Sequence, residues 1–354
     1  MSVQRCFLRG LDAEVSVLGA GCWTIGGPAT NRGLPIGWDH IEEEEAFAGL
    51  ARARELGVSL FDTADVYGLG RSERLLGRLL RDTRRADLVL SSKVGYFAGT
   101  ACHPYHPDQI RRQFATTLDN LGTDYLDLYF LHSTDFGDND QYLAGAVEVM
   151  HDLREQGLIR AVGIRAPHTF AEQWAAGNDE HAATITRWLH LFHQIHPDVV
   201  TVRYNVLSPR YTAQETDIFT FARRHHVGVL IKQALAQGLL LRDPACPPPV
   251  FSPTDHRSRD PQFQPSALAT LDRKLAALRT RFGTTPAALA RIAVGYALQH
   301  APDAAVLLGF RNADQITTTL TCLDNPLRQD EIDDITALFH HHNERLASRA
   351  VHRD

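Results

Sequence analysis

Short apolar runs alternate with amphipathic segments along most of the chain. The runs have the length of buried strands and occur at residues 17–19, 58–61, 88–90, 126–131, 159–164, 199–202, 227–231 and 304–308. Apolar positions with helical spacing lie over residues 42–56, 73–80, 109–121, 144–155, 214–224 and 267–281. Strands that alternate with helices predict βα units and a parallel sheet, which favours an α/β barrel.

Two local signals extend this pattern. Residues 7–18 have a turn-rich centre between apolar ends, and we expect a short hairpin that closes the floor of the barrel. Thr285 followed by Pro286 predicts another helix, because a hydroxyl cap and a proline at the first position favour a helix start. The chain has 354 residues, of which 44% are hydrophobic. We expect one domain over residues 1–354, since a single barrel with insertions fits this length better than two ordinary domains.

Four polar side chains follow the second, third and fourth apolar runs. They are Asp62, Tyr67, Lys93 and His132. In a barrel of parallel strands, the strand ends and loops of the carboxyl face point into one pocket, where such barrels carry out their chemistry. The sequence therefore predicts that these four side chains meet.

The chemistry of this set follows from proton affinities. A phenol has an ordinary pKa of about 10, and a neighbouring ammonium favours its ionised form. We expect Lys93 to lower the pKa of Tyr67, so that Tyr67 gives a proton to a carbonyl oxygen. Asp62 would hold Lys93, and a neutral His132 would orient the same oxygen. None of the four donates a hydride, so an external electron carrier such as a nicotinamide is required.

At this point the sequence resembles the aldo-keto reductase superfamily, over nearly the whole chain. The motifs are Asp-Thr-Ala-x-x-Tyr-Gly from Asp62, then Ser72-Glu73, Ser-Lys93, the run from Asp108 to His132, and Gly157-Leu-Ile-Arg-Ala-Val-Gly163. The resemblance implies a (β/α)8 TIM barrel, here with an N-terminal hairpin and long loops on the carboxyl face. It also implies that Asp62, Tyr67, Lys93 and His132 form the catalytic tetrad of an NAD(P)H-dependent carbonyl reductase.

The resemblance further implies a dinucleotide site whose two ends match the family unequally. Gly309, Arg311 and Gln315 match the family's phosphate and adenosine segment, so Arg311 is expected to contact the pyrophosphate or a 2'-phosphate. At the nicotinamide end, Arg165, Thr201 and Lys232 replace the usual serine, glutamine and aromatic residue. The other expected cofactor contacts are Gly21, Tyr204, Leu235 and Gln237. The cofactor is NADP or NAD, with NADPH slightly favoured.

Three long connections are the expected specificity elements, at residues 95–107, 133–140 and 241–265. Trp23, Tyr96 and Ser133 are the expected substrate contacts. Carboxylates and guanidiniums on these loops suit a polar substrate, such as a sugar derivative with or without a phosphate. The same charges equally fit ordinary solvated loops.

Composition argues against several other classes of protein. The formal charge of -6 lacks the basic excess of a nucleic-acid binder, and no apolar run approaches the roughly 20 residues of a membrane span. No signal peptide is expected, which makes the cytoplasm the default location. The five cysteines are scattered and odd in number, so we expect reduced thiols. No metal site is expected in the histidine-rich segments 190–196 and 340–342, because zinc normally needs three or four converging ligands.

The sequence therefore predicts an NAD(P)H-dependent oxidoreductase that interconverts a carbonyl and an alcohol on a polar, sugar-derived small molecule. Tyr67 is its general acid and base. Two alternatives stay open: a cofactor-sensing or regulatory barrel subunit with little turnover, and a non-redox proton transfer on a sugar. The substrate, the physiological direction, the choice between NAD and NADP and the oligomeric state are also left open.

Overall fold

The computed structural model describes residues 3–177, 181–209 and 211–350. The strands in chain order are β1 (Arg5–Leu8), β2 (Ala13–Ser16), β3 (Leu18–Gly21), β4 (Thr30–Asn31), β5 (Leu34–Pro35), β6 (Leu60–Asp62), β7 (Val89–Val94), β8 (Leu126–Leu131), β9 (Ile159–Arg165), β10 (Val199–Arg203), β11 (Gly228–Lys232) and β12 (Ala305–Gly309). The helices are α1 (Trp23–Gly26), α2 (Glu43–Glu55), α3 (Arg71–Leu80), α4 (Pro107–Leu121), α5 (Leu143–Glu155), α6 (Ala182–Ile195), α7 (Ile218–Arg224), α8 (Pro265–Phe282), α9 (Pro286–His300), α10 (Ala313–Leu320) and α11 (Gln329–Ala350).

Eight parallel strands close into a barrel at the centre of the described residues. β3 and β6 to β12 pair in chain order, and β12 pairs with β3 to complete the ring. Each predicted strand coincides with one of these, and helices lie between them. The predicted (β/α)8 TIM barrel is therefore confirmed.

Alternation along the barrel strands separates two apolar clusters. One cluster fills the barrel and takes every second strand residue, for example Leu60, Phe130 and Leu230. The residues between them, such as Phe61 and Ile231, face outward and pack against the helices. The side chain at each strand end is therefore assigned to the barrel axis or to the helical layer by its position alone.

The expected N-terminal hairpin is confirmed. β1 and β2 pair antiparallel from Arg5 opposite Ser16 to Leu8 opposite Ala13. Leu8 and Val15 belong to the apolar cluster inside the barrel. The hairpin therefore closes the end of the barrel where the strands begin.

Some helices differ from the predictions. The helix expected over residues 214–224 begins only at Ile218, because the Asp217 carboxylate caps it by accepting from Thr220 N at 2.7 Å. α6 and α11 were not predicted. The helix start at Thr285 is confirmed, since its hydroxyl accepts from Ala288 N at 3.3 Å. Within the described residues, no helix is both long enough and apolar enough to span a bilayer.

Candidate active site

One layer of polar side chains lines the carboxyl end of the barrel. Every second residue of a barrel strand faces the interior, and the last interior-facing residues lie just beyond the apolar cluster that fills the barrel. They are Asp62, Lys93, His132, Arg165, Arg203 and Lys232, with Gly21 and Gly309 at the ends of β3 and β12. We call this layer the mouth of the barrel. Three members of the predicted tetrad lie in it, and Tyr67 follows on the loop after β6.

Lys93 and Asp62 form a buried ion pair at the mouth. Lys93 Nζ lies 2.8 Å from Asp62 Oδ2 and donates to the Thr63 carbonyl oxygen at 2.5 Å. Ser91 Oγ donates to Asp62 Oδ1 at 2.8 Å. Burial is the largest single influence and would lower the pKa of Lys93, but the adjacent Asp62 carboxylate and the Tyr67 phenol together outweigh it, and the net pKa is raised. Lys93 is therefore a cation at neutral pH.

The loop that carries Tyr67 is fixed by a hydroxyl and a pair of glycines. Ser72 Oγ donates to the Cys22 carbonyl oxygen at 2.9 Å and so ties the start of α3 to β3. Gly68 has a φ of +62°, and a Cβ at this position would overlap the carbonyl oxygen of Gly26. Only glycine permits this approach, which places Tyr67 over the mouth.

The Tyr67 phenol is more basic than the sequence suggested. Lys93 Nζ lies 4.8 Å from the centre of the Tyr67 ring. Burial is the largest influence on this phenol, and although Lys93 opposes it, the net effect raises the pKa of Tyr67 to about 12. Lys93 thus lowers this pKa as predicted, but burial outweighs it and the net pKa lies above the ordinary value. The phenol is protonated at neutral pH, which is the form that a general acid requires.

His132 is held as a neutral imidazole. Its ring centre lies 6.0 Å from that of Tyr67 and 4.8 Å from that of Tyr96. Burial, followed by the charges of Lys93 and Lys232, lowers the pKa of His132 well below its usual value. Its Nδ1 is buried and has no hydrogen-bond partner among the described residues. A neutral imidazole keeps one N–H donor, which suits a hydrogen bond to a carbonyl oxygen.

An aromatic wall borders the tetrad on one side. Trp23 lies 6.1 Å from Tyr67 and 4.4 Å from His256, ring centre to ring centre. His256 lies 5.0 Å from Trp38. The sequence did not single out His256 or Trp38, because they approach each other only in the folded chain, where the long connection after β11 brings His256 back over the mouth. The ring nitrogens of His256 lie 2.8 Å from the Gly37 carbonyl oxygen and 2.7 Å from Gln237 Oε1.

Two of the three expected substrate contacts lie beside the tetrad, and the third lies within a loop. Trp23 and Tyr96 border the tetrad. Ser133 uses its groups within its own loop: its Oγ accepts from Asp135 N at 3.1 Å, and its carbonyl oxygen accepts from the Tyr105 hydroxyl at 2.8 Å. A substrate role of Ser133 stays a prediction.

Charges on the long loops are mostly paired with neighbours. Arg257 Nη2 lies 2.7 Å from Asp255 Oδ2. Arg242 forms an ion pair with Asp272, and Arg187 forms one with Asp140. These ion pairs therefore act within one loop or join a loop to the outer helices α8 and α6.

The predicted phosphate end of the cofactor site lies where β12 leads into α10. The Asn312 side chain caps α10 by accepting from Gln315 N at 2.9 Å, and Gln315 Oε1 accepts from Arg311 N at 3.0 Å. The Arg311 guanidinium donates to the His40 carbonyl oxygen at 2.7 Å, and it has no carboxylate partner among the described residues. An unpaired cation beside a helix start is suited to a phosphate.

The predicted nicotinamide end is less uniform. Arg165, Thr201 and Lys232 occupy interior-facing positions on β9, β10 and β11, as expected. Tyr204 follows Arg203 and faces outward, where its ring packs 4.9 Å from Phe219. Alternation therefore directs Tyr204 into the helical layer, and a cofactor contact of Tyr204 stays a prediction.

Two further expected cofactor contacts have partners within the protein. Leu235 is partly buried and packs against apolar side chains outside the barrel. Gln237 contacts His256 as described above. Within the described residues, no group of three or more histidine, cysteine, aspartate or glutamate side chains converges as a metal site would; the segment 340–342 lies outside the described side chains.

Comparison with known proteins identifies the family. The sequence profile described as "Aldo/keto reductase family" matches residues 17–339. "Aldo-keto reductase YhdN" of Bacillus subtilis (strain 168) is 26% identical over 336 residues, which are 92% of this chain and 90% of YhdN. The "NADH-specific methylglyoxal reductase" of Escherichia coli (strain K12) is 27% identical over 243 residues, which are 65% of this chain and 66% of that reductase. The chain thus spans just under two thirds of the methylglyoxal reductase.

A solved structure agrees in architecture. The glycerol dehydrogenase of Gluconobacter oxydans superimposes with a TM-score of 0.70 at 23% identity, covering 97% of each chain. This likeness concerns the fold.

Proposed function

The chain belongs to the aldo/keto reductase family, and we propose that it is an NAD(P)H-dependent oxidoreductase that interconverts a carbonyl and an alcohol on a small, polar, sugar-derived metabolite. The observation that supports this most strongly is the meeting of Asp62, Lys93, His132 and Tyr67 at the mouth. Three of these residues come from separate strand ends and the fourth from a loop. Buried ionisable side chains grouped in this way are typical of functional sites.

Each of the four side chains has a distinct role in the proton transfer to the carbonyl oxygen. Tyr67 gives its proton to the carbonyl oxygen as negative charge develops there, and takes it back in the reverse reaction. The Lys93 ammonium then stabilises the phenolate. Asp62 keeps Lys93 charged through their 2.8 Å contact, and neutral His132 donates a hydrogen bond to the same oxygen.

The chain offers a fitting site for the electron carrier. A nicotinamide dinucleotide, when bound, supplies the hydride that none of these side chains provides. Arg311 and the start of α10 suit its phosphates, and Thr201 offers a hydroxyl at the other end. Gly21 and Gly309 leave the mouth without side chains where β3 and β12 meet. Because Arg311 also suits a 2'-phosphate, NADPH is the slightly favoured cofactor.

A small polar carbonyl compound suits the remaining space. Trp23 and Tyr96 supply flat apolar surface, while the tetrad supplies hydrogen bonds at one point. Two relatives are named for a small polar carbonyl compound, methylglyoxal, and for a small polar alcohol, glycerol.

A second candidate function is cofactor sensing with little turnover. One observation favours it: the interior-facing positions expected near the nicotinamide carry the cations Arg165 and Lys232, where the family usually shows uncharged residues. Such a protein would bind the dinucleotide and release it unchanged.

One pair of measurements tests the proposal. NADH and NADPH are titrated into the protein by nucleotide fluorescence, and their oxidation is then followed with methylglyoxal and D-glyceraldehyde. Cofactor oxidation that requires both the protein and the carbonyl compound supports the oxidoreductase. Tight binding without oxidation by any carbonyl compound supports sensing, and the absence of both contradicts both functions.

A further inference from the structure

A group of polar side chains is buried between the barrel and the helices α3 and α4. At its centre is Glu73, in the first turn of α3, which is fully buried. Its carboxylate accepts three hydrogen bonds, from Ser92 Oγ at 2.8 Å, Thr117 Oγ1 at 2.9 Å and Asn120 Nδ2 at 2.9 Å. We call these four residues the Glu73 cluster. The acceptors of this carboxylate are therefore well supplied with donors from β7 and α4.

A second buried carboxyl group, that of Asp65, lacks such donors. Asp65 lies in the loop after β6 with 2% of its surface exposed, and neither of its carboxyl oxygens receives a hydrogen bond of ordinary geometry among the described residues. The Tyr129 hydroxyl, on the outward side of β8, is likewise buried and has no partner among the described residues. A buried carboxylate without donors is strongly unfavourable, whereas a protonated carboxyl is neutral and can exchange hydrogen bonds with a hydroxyl.

The charges around Asp65 also favour the neutral form. The titratable groups whose charges act between Asp65 and its surroundings are Glu73 on α3, Lys93 on β7, Tyr129 on β8 and Tyr105 in the loop before α4. Burial raises the pKa of Asp65 well above its usual value, and the Glu73 carboxylate raises it further. The Val66 N–H and Lys93 act in the opposite direction but do not outweigh these two influences.

One tight turn of the backbone connects Asp65 to the reacting phenol. Tyr67 N donates to the Ala64 carbonyl oxygen at 3.1 Å, so Asp65 and Val66 are the two central residues of this turn. Both of their side chains are buried, with 2% and 5% of their surface exposed. These two side chains therefore hold the turn in place, and a shift of either one would move the Tyr67 hydroxyl over the mouth.

We propose that Asp65 is a positioning residue for Tyr67 that carries a proton at neutral pH, so that a neutral carboxyl anchors the turn beside the Glu73 cluster; this rests on the proposed function. A carboxyl in this form can donate to one neighbour and accept from another, and the Tyr129 hydroxyl can serve as either. The proton leaves Asp65 when the chain unfolds, because an exposed aspartate is ionised at pH 7. Asp65 acts on the reaction through Tyr67 and does not touch the substrate.

Asp65→Asn tests the proton, because a carboxamide has nearly the shape of a protonated carboxyl and cannot ionise. An aspartate whose pKa is raised by folding destabilises the folded state increasingly as pH rises above its unfolded pKa of about 3.9. The midpoint of urea unfolding should therefore shift in favour of Asp65→Asn, relative to the parent, between pH 5 and pH 7. A difference that does not shift in this direction would overturn the protonated form.

Asp127→Asn is the matched control for this series. Asp127 is as deeply buried as Asp65, but its two carboxylate oxygens lie 2.8 Å from Arg85 Nη2 and 2.7 Å from Arg160 Nη1. Asp127→Asn should lower the urea midpoint at both pH values, because it leaves two guanidinium groups without their carboxylate.

A double-mutant cycle tests the positioning role. Asp65→Ala should lower kcat for carbonyl reduction by roughly 10-fold, because a small displacement of a reacting group is costly, and Asp65→Asn should largely restore the rate. When Tyr67→Phe is already present, Asp65→Ala should change the residual kcat by less than about 2-fold. An equal loss with and without the Tyr67 hydroxyl would indicate a general structural role and overturn the positioning. Asp65→Ser takes the place of Asp65→Ala if the latter does not fold.

The outcomes separate this inference from the proposed function. If the parent is active and Asp65→Ala reduces carbonyl compounds at the parent rate, the positioning role alone is overturned. If the parent reduces no carbonyl compound, the proposed function fails and the positioning role fails with it. The urea series then still decides whether Asp65 carries a proton in the folded protein.

Discussion

Replacement of Lys232 by methionine should stabilise the protein. Lys232 has a pKa of about 7 in place of its ordinary 10.5, chiefly because burial disfavours its charge and secondly because Arg165 repels it. At about 1.4 kcal/mol per pKa unit, this difference corresponds to on the order of 5 kcal/mol at neutral pH and below. Lys232 keeps part of its surface exposed at the mouth, so contact with water reduces this energy. We therefore expect Lys232→Met to raise the free energy of unfolding by about 2 kcal/mol at pH 6.5.

The gain should depend on pH with a definite sign. A lysine whose pKa is depressed by folding destabilises the folded state fully below its folded pKa, and the penalty fades as pH rises from about 7 to 10.5. Urea unfolding of parent and variant at pH 6.5, 8 and 9.5 measures this difference. Lys274→Met is the matched control, because Lys274 lies on α8, away from the mouth. A Lys232→Met variant that is less stable than the parent at pH 6.5, or a gain that grows with pH, would refute the reasoning.

Three further predictions concern the site and its support. Lys93→Met should lower kcat by roughly 100-fold or more, as measured by steady-state rates. It should also lower the free energy of unfolding in urea by about 3 kcal/mol, because it leaves Asp62 buried without its partner. An unchanged rate would remove Lys93 from the mechanism. Arg311→Ala should raise the Kd of NADPH roughly 10-fold, measured by nucleotide fluorescence; an equal effect on NADH indicates the pyrophosphate, and no effect on either contradicts the site. Gly68→Ala should destabilise the folded protein by about 2 to 4 kcal/mol through backbone strain and overlap with Gly26. Gly157→Ala is the control, because Gly157 has a φ of +73° and nothing within 4 Å of a Cβ, so this variant should lose stability through backbone strain only. Similar losses of stability in the two variants would refute the close approach of Gly68 to Gly26.

Much of the barrel and the place of the tetrad could be predicted because both depend on local patterns. Apolar runs mark strands, and period-two alternation then fixes which side chain at each strand end faces inward. Asp62, Lys93 and His132 follow their runs at the right step. The same rule separates Arg203 from Tyr204, and applying it strand by strand would have assigned Arg203 to the mouth and Tyr204 to the helices.

Other features depend on contacts between distant segments. His256 reaches Trp23 only because Asp255 accepts from Asp39 N at 2.7 Å and anchors the long connection there. The pKa of Tyr67 depends on how deeply the phenol is buried, which the neighbouring lysine alone does not reveal. α6 has a regular apolar spacing at Ile185, Trp188 and Leu191, but the histidines interleaved with these residues obscure the helical pattern in the sequence.

The central claim is that Tyr67 transfers the proton to the carbonyl oxygen, and Tyr67→Phe tests it most directly. The substitution removes only the hydroxyl, so the Kd of NADPH from nucleotide fluorescence should change by less than a few-fold. We expect kcat for carbonyl reduction to fall by roughly 100-fold or more, in line with the contribution of a general acid. We expect the parent to lose activity at high pH, where the phenol of pKa about 12 ionises, and any residual activity of the variant to lack this loss. A Tyr67→Phe variant that binds NADPH normally and reduces the same carbonyl at the parent rate would contradict the account.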